Sequence, residues 1–293
     1  MVAEVIDRLG IGKIDLVAND SGGAIAQIFA AHFPDRLNSL VLTNCDVHDG
    51  WPPPQVLPVI ERARSGALAP VFQPLIDRPD LARERYARGE SVPLFRAYAD
   101  PSVLTDEIIR LYLQPLLSSP QRIEAFRNYW LAFDNTHTVA IHSALRILKT
   151  PTLIVWGLDD FFFDRKWAHW LKNTIPGARR IVEVEDARLF FAEDRPDALS
   201  GAILDFWDEL EAAWVSRDQR YSTNFARPYA SKKRRRRQAV CDGRRRRGGG
   251  PASNFPVVTA ASAFALHCFA DQCADSRCHG HRQRAPVSFS ALA

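Results

Sequence analysis

Cysteine is scarce where a folded body would use it. Of five cysteines, Cys241, Cys268, Cys273 and Cys278 lie near the far end of the chain, leaving Cys45 alone before them. A body with one thiol excludes a disulfide scaffold and points to an intracellular, cytoplasmic protein. Long apolar runs are missing too. The most apolar stretch, residues 255–270, is broken by Thr259, Ser262 and His267, too short and polar for a bilayer crossing, so no membrane span is expected. Residues 1–10 lack the basic start and apolar run of a signal peptide. His267, Cys268, Cys273, Cys278, His279 and His281 cluster without a paired Cys-x₂-Cys, so no metal is expected there, and no cofactor motif stands out.

Charge divides the chain in two. Residues 1–216 carry 22 Lys+Arg against 30 Asp+Glu, whereas residues 217–293 carry 16 against 4. The basic runs at 232–237 (KKRRRR) and 244–247 (RRRR) have neither helical nor strand period. They predict a disordered tail, and its Arg, Ala, Gly and Pro richness suits GC-rich DNA read out of frame. A nucleic-acid role resting on this tail alone is disfavoured, although such runs do bind phosphates.

Residues 15–27, DLVANDSGGAIAQ, organise what precedes the tail. Leu16, Val17 and Ala18 predict a strand, and Gly22 and Gly23 open an Ala-rich helix. A side chain displayed on a sharp strand-to-helix turn needs small residues two before and two after it. For Asp20 these are Ala18 and Gly22, and both fit. For Ser21 they are Asn19 and Gly23, and Asn19 fits poorly. A tight turn with an Asp helix cap is the plainer alternative. Helical spacing then predicts helices over 3–9 and 22–32, and apolar runs predict strands over 13–18 and 37–43. Proline-punctuated helices follow at 55–64, 80–88, 105–117 and 120–133. Strands return at 151–156 and 180–185, with helices at 165–175 and 196–215. The β-α-β order predicts a parallel sheet.

The turn, the AAHFPDRLNSLVLTN stretch behind it and the strand end Trp156-Gly157-Leu158-Asp159-Asp160 together resemble the α/β-hydrolases. The Asp-x-Gly-Gly form resembles the branch of haloalkane dehalogenases and epoxide hydrolases, in which Asp attacks carbon. The resemblance implies an α/β fold: a core from residues 1–46 and 150–216, a helical cap at 47–149, and the disordered tail at 217–293. It implies Asp20 as nucleophile and Asp160 as the acid that orients a histidine, with Asp159 the adjacent alternative. It also implies an apolar small-molecule substrate, with Ser21, Trp51 and Trp130 among the binding residues. Tyr98, Tyr112 and Phe133 are further aromatics of the cap, and Tyr98, Tyr112 and Tyr129 are its candidate proton donors.

Two departures weigh on this reading. The family places its catalytic histidine before Phe in the loop after the last strand, and here Leu189 stands in that frame (Ala187-Arg188-Leu189-Phe190). Several strands precede the elbow in the family, one supplying an oxyanion amide, so an N-terminally truncated chain or gene fragment is expected. His48, at the end of the second strand, is the best substitute base by position, followed by His137. Ser21 stands where dehalogenases carry Trp, which weakens that substrate class. The expectation is impaired hydrolysis through an alkyl ester on Asp20. A catalytically inactive binding relative is the alternative, and the oligomeric state is left open.

Overall fold

Runs of leucine and β-branched residues set the sheet. In this computed structural model, residues 2–221 and 257–260 are described. Helix α1 (Val2–Arg8) leads into β1 (Ile14–Asp20), α2 (Ser21–His32) and β2 (Leu37–Cys45). An all-helical stretch follows: α3 (Leu57–Arg64), α4 (Leu68–Asp77), α5 (Pro79–Ala87), α6 (Pro93–Arg96), α7 (Asp106–Leu113), α8 (Pro120–Leu131), α9 (Thr136–Ala140) and α10 (His142–Leu145). The chain then returns through β3 (Thr152–Gly157), α11 (Lys166–Thr174), β4 (Ala178–Val184), α12 (Phe191–Asp194) and α13 (Pro196–Tyr221).

The sheet runs β4-β3-β2-β1, all parallel, with Val17 opposite Val41 and Leu42 opposite Ile154. Parallel strands need helices on both faces, and the burial alternates accordingly. Leu16, Ala18, Leu40, Leu42, Ile154 and Trp156 face the larger core, which continues into the helical stretch. Val17, Val41, Leu153 and Val155 face α13 through Ala202, Ile203 and Phe206. Trp207 of α13 donates its indole N–H to Ser39 Oγ at 3.0 Å, and Ser39 donates to Asp15 at 2.7 Å, pinning that helix across the sheet.

Most predicted elements are present. Helix α4 was not foreseen, because Pro74 lies inside it and Pro70 near its start. Two described elements reach into the C-terminal part of the chain. Helix α13 runs to Tyr221, past the boundary at 216, and Val257–Ala260 forms β5, parallel to β1, with Asp15 opposite Val257 and Ala18 opposite Ala260. An unpaired edge of β1 offers a row of N–H and C=O groups, and a β-branched segment is suited to take them. The Arg runs and the Cys/His cluster lie outside the described residues.

Helix α2 crosses β2 at very short range. A Cβ on Gly23 would run into the Cβ and Sγ of Cys45, which is fully buried. Overpacking of this kind costs about 1–3 kcal/mol. Gly23→Ala is therefore expected to lower the urea midpoint of unfolding at unchanged m-value, and an unshifted midpoint would show that the helix can lift away freely.

Candidate functional site

The strand-to-helix turn is built from backbone strain. β1 ends at Asp20, whose φ of 57° and ψ of −140° lie in a region that side-chain-bearing residues avoid. Such a conformation costs on the order of 1–3 kcal/mol and persists only where the surroundings enforce it. Here β1 is locked to β2 up to the pair Asp20–Cys45, the Asp46 N–H donates to the Asp20 carbonyl at 3.3 Å, and α2 starts on the next residue. The result projects the Asp20 side chain at the carboxyl edge of the sheet, where it remains partly accessible.

Around it the sheet's carboxyl edge gathers acids. Burial pushes the Asp20 carboxyl up to about 6, against the lowering effect of the Ser21 backbone N–H. Burial likewise pushes Asp160 up to about 7; the Phe162 N–H and the Asn44 amide pull it down, and the charge of Asp20 raises it further. Asn44 holds Asp160 tightly, donating to its Oδ2 at 2.6 Å while bonding both the N–H and the carbonyl of Gly157. Asp46 completes the group. It is 1% exposed, and burial followed by the charge of Asp20 raises its carboxyl well above the usual range.

A polar pair and an aromatic group stand above the acids. Ser21 Oγ and Tyr129 Oη are 2.8 Å apart, and burial plus the charge of Asp20 pushes the Tyr129 phenol up. Tyr129 packs edge-on against Phe133 with centroids 5.0 Å apart, and Phe133 also meets Trp130 at 5.1 Å and Trp51 at 5.5 Å. Three of the sequence candidates, Ser21, Trp51 and Trp130, thus fall into one continuous group over the turn. Tyr98 and Tyr112 do not. Both donate to Glu193 of α12, at 2.8 and 2.9 Å, and join the helical stretch to the loop after β4.

The structure brings Asp20, Ser21 and Asp160 together and places His48 apart from them. The His48 ring packs against His142 and Trp170 with centroids 5.0 and 4.8 Å away, and Nδ1 lies 3.1 Å from Asp49. Leu189 sits beside the turn, buried, with its carbonyl accepting from Asn19 Nδ2 at 2.9 Å. The same amide nitrogen reaches Thr43 Oγ1 and the Asn44 carbonyl, so Asn19 ties three segments together. Sequence reasoning missed Asp46, Asn19 and Asn44. A signal for Asp46 existed: a carboxylate closing an apolar strand, next to one that closes the neighbouring parallel strand.

Residues 1–203 match the model of the alpha/beta hydrolase family. Among curated proteins, the chain is similar to a cis-3-alkyl-4-alkyloxetan-2-one decarboxylase of Shewanella oneidensis, 27% identical over 71% of this chain and 64% of the relative. It is similar to epoxide hydrolase 4 of Mus musculus, 24% identical over 71% of this chain and 57% of the relative. It is also similar to a 2-hydroxy-6-oxononadienedioate/2-hydroxy-6-oxononatrienedioate hydrolase of Burkholderia vietnamiensis, 30% identical over 55% and 51%. The chain thus spans from about half to under two thirds of these relatives' lengths. An alpha/beta hydrolase fold protein from Burkholderia ambifaria superposes with a TM-score of 0.57 at 22% identity, covering 70% of each chain.

The buried acids make a prediction about stability. A carboxyl raised in the folded state favours folding most below its unfolded value of 3.8, and that contribution is lost as pH rises through the folded values of about 6 and 7 for Asp20 and Asp160. Asp46→Asn removes one such raised carboxyl. Its melting temperature is expected to exceed the parent's at pH 8 by about 2–4 °C per kcal/mol recovered, with the gap closing towards pH 4. A gap that widens towards pH 4 in thermal scans would contradict the assignment.

Proposed function

Because the chain belongs to the alpha/beta hydrolase family, we propose that it acts on an apolar small molecule through Asp20 as carbon nucleophile. One observation carries the reading: the half-buried residue Asp20 on a backbone held at φ 57°, between β1 and α2. Such a turn presents a nucleophile to a bound substrate while the helix start behind it offers backbone N–H groups. In this reading residues 1–46 and 150–216 make up the core, and residues 47–149 form the cap that carries the aromatic group.

The substrate class follows from the chemistry of the site and of the relatives. An ionised carboxylate attacks an alkyl carbon most readily where ring strain helps the carbon–oxygen bond to break. The relatives named above include one that acts on an alkyl-substituted oxetanone and one named for epoxides. We therefore assign an alkyl- or aryl-substituted strained oxygen ring. Trp51, Trp130 and Phe133 supply apolar contact, and the Ser21–Tyr129 hydroxyl pair provides hydrogen bonds for the oxygen. The attack leaves an alkyl ester on Asp20.

Leu189 decides the fate of that ester. In the position of the family's histidine it offers no proton acceptor, and loss of a general base costs about 10²–10⁴ in rate. Asn19 nonetheless holds the Leu189 backbone beside the turn, so the loop is in place and only its side-chain chemistry is missing. The same observation supports a second reading, a binding protein that retains the pocket without turnover.

Styrene oxide and intact-protein mass spectrometry separate the two readings. The expected result is one adduct, mapped to Asp20 and absent in Asp20→Asn. Only the carboxylate attacks, so the labelling rate rises about tenfold per pH unit below about 6 and levels off above it. Leu189→His is expected to shorten the adduct's lifetime by about 10²-fold or more. Full-length chain that binds the epoxide but forms no adduct at any pH favours the binding reading.

A further inference from the structure

Asp46 has no role in the scheme above, yet it is the most unusual side chain near the turn. Both of its carboxyl oxygens are buried and accept or donate no hydrogen bond among the described residues. Its main chain, by contrast, is fully engaged. The N–H donates to the Asp20 carbonyl at 3.3 Å, and the carbonyl accepts from Gln27 Nε2 at 2.8 Å. The backbone is therefore fixed by β1 and α2, directly after the Asp20–Cys45 pair, while the carboxyl is left with unspent hydrogen-bonding capacity. An unpartnered buried polar group costs about 1–3 kcal/mol. Groups left in that condition at a reaction centre are candidates for partnering a ligand.

The scheme has a matching gap. Opening an oxygen ring releases an alkoxide that needs a proton, and hydrolysing the Asp20 ester needs a group to accept one. Leu189 can do neither. Tyr129 can bond the oxygen, but burial and the nearby Asp20 charge make its phenol hold its proton more tightly than usual. His48 is committed to Asp49 and the rings of His142 and Trp170.

We propose that Asp46 is the proton carrier of this site, standing in for the histidine that the chain lacks. The inference rests on the reading of Asp20 as nucleophile. In the first step an Asp20 oxygen forms a bond to a ring carbon as that carbon's bond to the ring oxygen breaks. The ring oxygen takes the proton of the neutral Asp46 carboxyl, leaving Asp46 as carboxylate. In the second step water adds to the ester carbonyl carbon of Asp20 and gives a proton to the Asp46 carboxylate. Collapse of the tetrahedral intermediate expels the alcohol oxygen, which is protonated as Asp20 returns to carboxylate. The sum is ring plus water to diol, with Asp46 again neutral. Burial and the charge of Asp20 favour this neutral resting form.

Two probes of similar shape test it, because only one needs a proton. Styrene oxide must be protonated when it opens, whereas 2-phenylethyl bromide loses bromide unassisted. Labelling of Asp20 in the full chain is followed by intact mass, with Asp20→Asn as background. Asp46→Asn, which keeps the side chain's shape, is expected to lower the ratio of epoxide to bromide labelling rates by about 10²-fold. Its epoxide-derived adduct should also persist longer than the parent's. Asp46→Glu, which keeps a transferable proton, is expected to restore much of the ratio. An unchanged ratio in Asp46→Asn, with Asp20 still labelled by both probes, overturns the role of Asp46 and leaves the nucleophile reading standing. Failure of both probes to label the parent chain removes the nucleophile reading and this inference with it.

Discussion

Everything near the site depends on how closely α2 approaches β2. Gly23 lies against Cys45 with no room for a methyl group, and that contact sets the angle at which the chain leaves β1. The Asp20 backbone is forced to a positive φ because the helix has to begin at once, without a loop to relax the turn. The strain is offset by packing on both sides of the sheet, with Leu16 and Ala18 in one core and Val17 in the other. In the proposed reaction, a carboxylate held this way would need no reorganisation to meet a substrate.

The turn is coupled to the helical stretch through a second set of contacts, carried by the loop after β4 and by α12. Phe190 N–H bonds the Ala97 carbonyl, Arg188 bonds the Tyr98 carbonyl, and Asp194 accepts from the N–H groups of Ala99 and Asp100. Glu193 receives both Tyr98 and Tyr112, and burial raises its carboxyl. Asn19 joins the same loop to the strand ends at Leu189. Ring contacts around Phe133 and Tyr129 and this polar seam therefore fasten the helical stretch at separate points.

The parallel sheet, the turn and the helical insertion were legible because each rests on local pattern. Apolar runs of four to seven residues bounded by Gly, Pro or Asp read as strands, and the small residues around Asp20 read as a turn that crowds its backbone. What escaped notice depends on contacts between distant segments. Nothing near Asn19 announces that its amide will span Thr43, Asn44 and Leu189, and nothing near Tyr98 announces Glu193. Pro74 hid a helix, since proline argues against one locally while tertiary packing of Leu68 and Ile76 holds it. Spacing alone could not choose between Tyr98, Tyr112 and Tyr129; Tyr129 is the one whose hydroxyl meets Ser21.

The electrostatics of the site follow from having three carboxyls at one strand edge with the buried Leu189 beside the turn. Like charges crowded in a buried site cannot all ionise together, so their affinities for protons separate. Asp20 keeps a backbone donor and partial access to solvent, and stays ionised near neutrality. Asp160 is fixed by Asn44 and the Phe162 N–H, which leaves it little freedom to move towards a substrate. Asp46 has neither donor nor solvent, and burial with the charge of Asp20 raises its carboxyl well above the usual range. One environment thus gives identical side chains different proton affinities, with Asp20 raised to about 6, Asp160 to about 7 and Asp46 well above the usual range.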